Sequence, residues 1–324
     1  MSNRKIFSIF VIMVAFACLF LLFLPKYRHK DTAVMIMGGK LYLQACEGSD
    51  TTKRRENVEK YVRPSDMPVL NGRMVWDLYD EFYGEKVSEI RLPDRMFVTP
   101  EDTVLNYFSI LREAANHEKG KGAGCGTIGR STIPYPIAYH FLSSSYQATL
   151  SYEQYLDTFQ NILHISLIKY RRIPVFDNPH NIIRYFVEIE TIEGNEKYLG
   201  NFVYYYGFAD LKKENKQYKI ANLEFHGENY LCAPMHGWAY DAELSVKIRY
   251  GGWCDLIKEM DPVIQKEYIK NVSFQGTDGN DYLIVFYQLT NDTDIEIAQY
   301  IKSMDGGWKL IEFNPEDCLD DGSG

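Results

Sequence analysis

Four ionisable side chains, His140, Asp157, His164 and Glu188, are of the types that do proton chemistry. A histidine beside a carboxylate can pass a proton near neutral pH, provided folding brings both to one cavity. A strand histidine or glutamate ordinarily sits on a solvated face or is satisfied in a core, so these four are candidates and no catalytic role is assigned. A second set carries the nitrogen and sulfur donors that zinc takes: His226, Cys232, His236 and Cys254. The spacing within LCAPMHGW fits no common zinc knuckle, and a Cys232–Cys254 disulfide competes for the same sulfurs. A Cys–His nucleophile there would lack a third, orienting group. No cofactor is expected. Gly124 to Gly129 matches G-x-G-x-x-G, but the stretch follows a helical pattern, and Pro134 and Pro136 argue against a helix behind it. It reads as a flexible loop.

The elements that must position these residues follow from periodicity. Thr99-Pro100-Glu101-Asp102 opens a helix with a capping hydroxyl, a proline in the first turn and acid at the positive dipole end. Val104, Tyr107, Phe108, Leu111 and Ala115 form its apolar face, which should run to about His117. Residues 137–147 fit a second helix, and the capping box Ser151 to Gln154 opens a third. The period then changes to two, giving strands at 163–173, 182–192, 198–211 and 218–226. Val246, Tyr250, Trp253, Ile257 and Met260 share one helical face, and strands follow at 268–275, 281–289, 294–302 and 307–313. Nearer the start, VMIM and KLYLQ flank Gly38-Gly39 as a hairpin. The joint at 227–254 is dense in large side chains for a linker, so Trp238 and Trp253 are expected to be mostly buried.

One stretch locates the chain. Ile6 to Leu24 holds nineteen residues without a charge. As a helix it would reach ~28 Å, about the hydrocarbon thickness of a bilayer. Ala15-Phe16-Ala17 has the form of a cleavage site but lies inside the apolar run, and Phe16 spoils a lipoprotein match ahead of Cys18. An uncleaved single-pass anchor is therefore expected, with residues 1–5 cytoplasmic and the body extracytoplasmic; a cleaved or lipid-anchored secreted binding protein is the alternative. The charge balance is 35 Lys and Arg against 44 Asp and Glu, net −9, with no basic stripe, which argues against nucleic acid as a partner. Aromatic residues make up 15% of the chain, with 25 Tyr and 18 Phe, a composition suited to packed sheet faces.

The order TPEDTVLNYFSILREA, SYEQYLDTFQNI, NFVYYYGFADL, YKIANLEF resembles the nuclear transport factor 2-like superfamily across 99–226. That resemblance implies a cone of helices against a curved antiparallel sheet, whose cavity His140, Asp157, His164 and Glu188 could line. Residues 240–315 look like a smaller cystatin-like relative, and the whole is similar to membrane-anchored envelope proteins of Gram-positive bacteria. The expected class is thus α+β: a transmembrane helix at 6–24, a juxtamembrane collar with a hairpin at 25–98, the cone at 99–228, a second helix-plus-meander domain at 229–316 and an acidic tail at 317–324. Such folds host binders and enzymes alike. The functional expectation is a binding or assembly module of the cell envelope, touching the bilayer through 6–24 and an envelope protein or small ligand through its body. The alternative is an enzyme using a His–carboxylate pair in the cone cavity. A cavity plugged by aromatic rings favours the module; convergent polar groups around a closed cavity favour the enzyme.

Overall fold

A computed structural model describes residues 34–42, 65, 67–72, 74, 76–112, 114–116, 131–194, 200–228, 237–303 and 305–320. The apolar run 6–24, the glycine-rich loop 124–129, Cys232 and His236 lie outside the described residues.

A hairpin opens the described chain. β1 (Val34–Ile36) and β2 (Gly39–Tyr42) pair antiparallel across Met37-Gly38, whose φ values of 49° and 75° suit a type I′ turn. The turn falls one residue earlier than Gly38-Gly39. A Cβ on Gly38 would come within 2.5 Å of the Tyr155 ring, so close approach as well as positive φ requires glycine there.

After a short α1 (Trp76–Glu81) comes α2 (Pro100–Arg112). Its first turn closes reciprocally: Asp102 N donates to Thr99 Oγ1 at 3.0 Å and Thr99 N to Asp102 Oδ2 at 3.2 Å. It stops at Arg112, short of His117. α3 (Pro134–Tyr139) and α4 (Ser144–Gln147) follow. The two prolines expected to block a helix begin one, because first-turn N–H groups have no partner inside a helix anyway. α5 (Tyr152–Asp157) carries the expected capping box of Ser151 and Gln154.

The period-two segments form β3 (Ile162–Ile173), β4 (Ile183–Gly194), β5 (Gly200–Glu214) and β6 (Gln217–Glu228). They make an antiparallel meander, and β2 joins it parallel to β6, giving the order β1-β2-β6-β5-β4-β3. The hairpin expected in a separate collar is therefore part of the main sheet. Further on, α6 (Ala242–Val246) runs into a π-helical turn, Lys247–Trp253. The helix expected through Met260 ends there: Asp255 takes φ 48°, outside helical geometry, and Ile257–Met260 becomes β7. β8 (Ile264–Lys266), β9 (Ile269–Gly276), β10 (Asp281–Gln288), β11 (Asp294–Lys302) and β12 (Trp308–Ile311) complete a second sheet, before a last turn α7 (Asp317–Asp320).

The expected class needs correction. Over the described residues, a helical cone followed by a smaller helix-plus-meander domain is not what the chain forms. The described residues are mostly sheet, 41% strand against 24% helix, in two sheets. No helix among the described residues is long and apolar enough to cross a membrane. The physical reason is element length. Strands β3 to β6 run 12 to 15 residues, whereas the described α-helices other than the 13-residue α2 last only 4 to 6.

The layers stack as helix, sheet, sheet, helix. On one face of the first sheet, Val187, Ile189, Tyr205 and Phe225 pack with Tyr107, Tyr155 and Phe159 from the helical side. On its other face, Ile173, Phe186 and Tyr206 meet Tyr287 and Leu289 at the second sheet. The far side of that sheet, through Val272, Phe274, Ile284 and Phe286, is closed by Ala242, Val246 and Tyr250. Trp238 and Trp253 do contact each other edge to face, centroids 5.5 Å apart, but Trp238 remains 37% exposed, so the expected burial of both is corrected.

The free edge of β3 is sealed by Asn71, which is fully buried. Its Nδ2 donates to Phe108 O and Ile165 O, both at 2.9 Å, and its Oδ1 accepts from Leu167 N at 2.8 Å. Asn71→Ala strands three buried backbone groups, each worth about 1–3 kcal/mol when left unpaired. It should lower unfolding free energy by about 3 kcal/mol or more in a urea titration; a loss under about 1 kcal/mol would show that water replaces the amide.

Candidate functional site

Among the described residues, the helical side of the first sheet is filled where the cone cavity was expected. Tyr107, Tyr135, Tyr155, Phe108, Phe141 and Phe159 fill it, all fully buried. Their contacts are tilted or edge-on, as between Tyr155 and Phe159 at 4.9 Å, Tyr135 and Phe159 at 4.8 Å and Phe97 and Phe141 at 4.7 Å. The β1–β2 turn is driven into this cluster. Met37 N donates to Thr158 O at 3.0 Å, Gly38 N to Thr158 Oγ1 at 2.7 Å, and Tyr146 OH to Gly38 O at 2.7 Å. Tyr107 OH donates to Met37 O at 3.3 Å. Burial first, with neighbouring phenols adding to it, raises the phenols of Tyr107 and Tyr155 far above their ordinary range, so they stay neutral donors.

The four proton-transfer candidates are not gathered there. His140, just after α3, donates Nε2–H to Val87 O at 2.7 Å. Burial lowers its pKa, and the nearby charges of Lys219 and Arg91 push the same way against that hydrogen bond, so the ring is neutral at neutral pH. Asp157 ends α5 and borders an open cleft beside the hairpin. His164 lies half-buried on β3. Glu188 alternates with Val187 and Ile189 of the helix-side core, so it points to the opposite face, toward the second sheet.

The metal candidates separate as well. Cys254 is bonded to Cys318, with Cα atoms 5.2 Å apart, so it neither pairs with Cys232 nor offers a thiolate. The Cys232–Cys254 disulfide that the sequence allowed does not form; the bond to Cys318 instead ties the end of the π-helical turn to α7. His226 is stacked between Tyr206, at 4.7 Å and 10°, and Tyr42, at 5.1 Å and 20°. Burial lowers its pKa against the pull of Glu224. No three His, Cys, Asp or Glu side chains among the described residues converge on a metal position.

Of the residues that do converge, Glu188 was singled out by sequence, but for a different place; Lys169, Glu190 and Glu228 were not. On the face of the first sheet that meets the second, Lys169 Nζ lies 2.7 Å from Glu188 Oε2, the two side chains being 4% and 0% exposed. Lys169 also donates to Gln288 O at 2.9 Å, and Thr290 N donates to Glu188 Oε1 at 2.8 Å. Thus one buried ion pair grips the loop leading from β10 to β11. Beside it on β5, Tyr204 OH donates to Glu190 Oε2, and Arg184 forks onto Asp210 at 2.6 and 2.9 Å. Glu228, at the end of β6, has both carboxylate oxygens buried without a hydrogen-bond partner among the described residues. Burial first, then the charge of Glu188, raises its pKa well above the ordinary carboxylate range, against the lowering effect of Lys169. The available signal was alternation: Glu188 and Glu190 on β4, with Glu224, His226 and Glu228 on β6, put charge on the face opposite a hydrophobic one.

Comparison with known families, with curated proteins and with solved structures finds no match. What the geometry itself defines is a class: two face-packed sheets, each backed by helix, with an aromatic-filled interior and a charged seam.

Two outcomes test the seam. Lys169→Met leaves Glu188 buried and unpaired and should cost about 3–5 kcal/mol in urea unfolding, while Lys169→Met with Glu188→Leu should recover most of that. An unchanged midpoint for the single variant would mean that the pair is not buried. Glu228 keeps on folding a proton that the unfolded chain releases. Its contribution is therefore fully present below the ordinary carboxylate range and is lost as pH rises toward the higher folded value. Glu228→Gln should melt at a higher temperature than wild type at pH 8 and equally at pH 4; equal curves at both would show that Glu228 is ionised and compensated.

Proposed function

We propose that this chain is a binding or assembly module of the cell envelope, held at the membrane by the apolar run 6–24, with its body on the extracytoplasmic side. The observation that carries the module reading is the filled interior. The space a catalytic cavity would need holds packed rings and a hairpin turn, so recognition falls to outer surfaces. The Cys254–Cys318 bond supports the extracytoplasmic side, because disulfides persist in oxidising compartments and are rare where thiols are kept reduced. Residues 6–24 support membrane attachment by sequence alone.

The reading is tested on intact cells. A membrane-impermeant maleimide should label Cys254 and Cys318 only after an impermeant reductant is added, and the chain should stay with the membrane pellet through an alkaline wash. Cross-linking before solubilisation should give a discrete adduct of defined mass with one envelope component. Labelling that requires lysis, or a chain that washes off the membrane and cross-links to nothing, contradicts the proposal.

A further inference from the structure

We propose that the open cleft between the β1–β2 hairpin and the α4–α5 segment binds the free ends of a short zwitterionic peptide, its carboxylate at Lys40 and its ammonium at Asp157. The cleft measures about 480 Å³, within the range of small-ligand sites. Its walls are fixed in advance by the hydrogen bonds that dock the hairpin turn on Thr158 and Tyr146.

The ligand class follows from which polar groups remain available. Tyr146 OH is spent on Gly38 O, and Thr149 Oγ1 donates to Tyr146 O at 2.8 Å. Thr158 Oγ1 donates to Tyr155 O at 2.6 Å and accepts from Gly38 N. Gln154 Oε1 accepts from Ser151 N in the capping box, which leaves its Nε2 hydrogens. Lys40 and Asp157 are exposed, stand on different elements, and have no side-chain partner among the described residues. The lining thus offers one ammonium, one carboxylate and one amide donor, with Met35 and Leu150 as apolar surface between. A lone anion or a lone cation would meet one charge and be repelled by the other. A molecule bearing both, with a small apolar body, satisfies the set: carboxylate to Lys40 and Gln154 Nε2, ammonium to Asp157. The chemistry of the cleft is independent of where the chain resides.

The test is ligand-observed saturation-transfer NMR on the full chain in detergent, with leucyl-alanine, its N-acetyl form and its C-terminal amide as probes. The free dipeptide should bind saturably at millimolar concentration, and blocking either end should weaken it about fivefold, the upper value for one exposed ion pair. Both charges lie on the surface, so Lys40→Gln and Asp157→Asn leave the fold intact. Lys40→Gln should weaken the free dipeptide yet be indifferent to amidation; Asp157→Asn should be indifferent to acetylation. No saturable transfer, or affinities that both variants leave unchanged, overturns the proposal.

Discussion

The buried Lys169–Glu188 pair is the interaction on which the arrangement of the two sheets depends. β4 has no free face: helices lie on one side of it and the second sheet on the other. Any charge on its seam side must be paired, because an isolated ion in such surroundings is costly. The apolar part of the seam, around Phe186, Tyr206 and Tyr287, supplies attraction but little direction, since apolar contact is non-directional. The ion pair supplies direction. It fixes Gln288 and Thr290 against β3 and β4 through one accepted and one donated backbone bond. A buried pair of this kind need not add net stability; its contribution here is register.

The same logic explains the helical side. Phenols placed in a core need acceptors, and the hairpin turn provides them: Met37 O for Tyr107 and Gly38 O for Tyr146. Filling the interior with a turn both satisfies those hydroxyls and removes the cavity. The open cleft lies at the rim of that plug, where Lys40 and Asp157 stand. The disulfide at the far end, Cys254–Cys318, closes the last turn onto the second sheet's helical cover and suits a chain exposed to an oxidising environment.

Much of the local structure was legible in the sequence because it rests on local rules. Thr99 and Ser151 cap helices as their patterns dictate, and the four long strands stand within a few residues of their period-two segments. What misled were rules with tertiary exceptions. Pro134 and Pro136 start a helix instead of preventing one. Val246 to Met260 fits helical spacing, yet a left-handed Asp255 ends the helix and the remainder pairs as strand. Proportions were misjudged too: short helices give weak weight to a helical cone, and the sheets dominate. The candidate site was least legible. Glu188 was placed in a cavity because alternation alone does not say which face meets helix and which meets sheet. Lys169 drew no notice because its pairing with Glu188 depends on strand register, and its partners across the seam, Gln288 and Thr290, are more than a hundred residues away in sequence.

Two sheets joined through a charged seam should form one cooperative body. Scanning calorimetry of the full chain addresses it most directly. One transition, with a calorimetric enthalpy equal to the van't Hoff value, is the predicted result, because parting the sheets breaks the Lys169–Gln288 and Thr290–Glu188 hydrogen bonds and exposes the apolar contact of Phe186 and Tyr206 with Tyr287 and Leu289. Two resolved transitions, one for each sheet, would contradict the account.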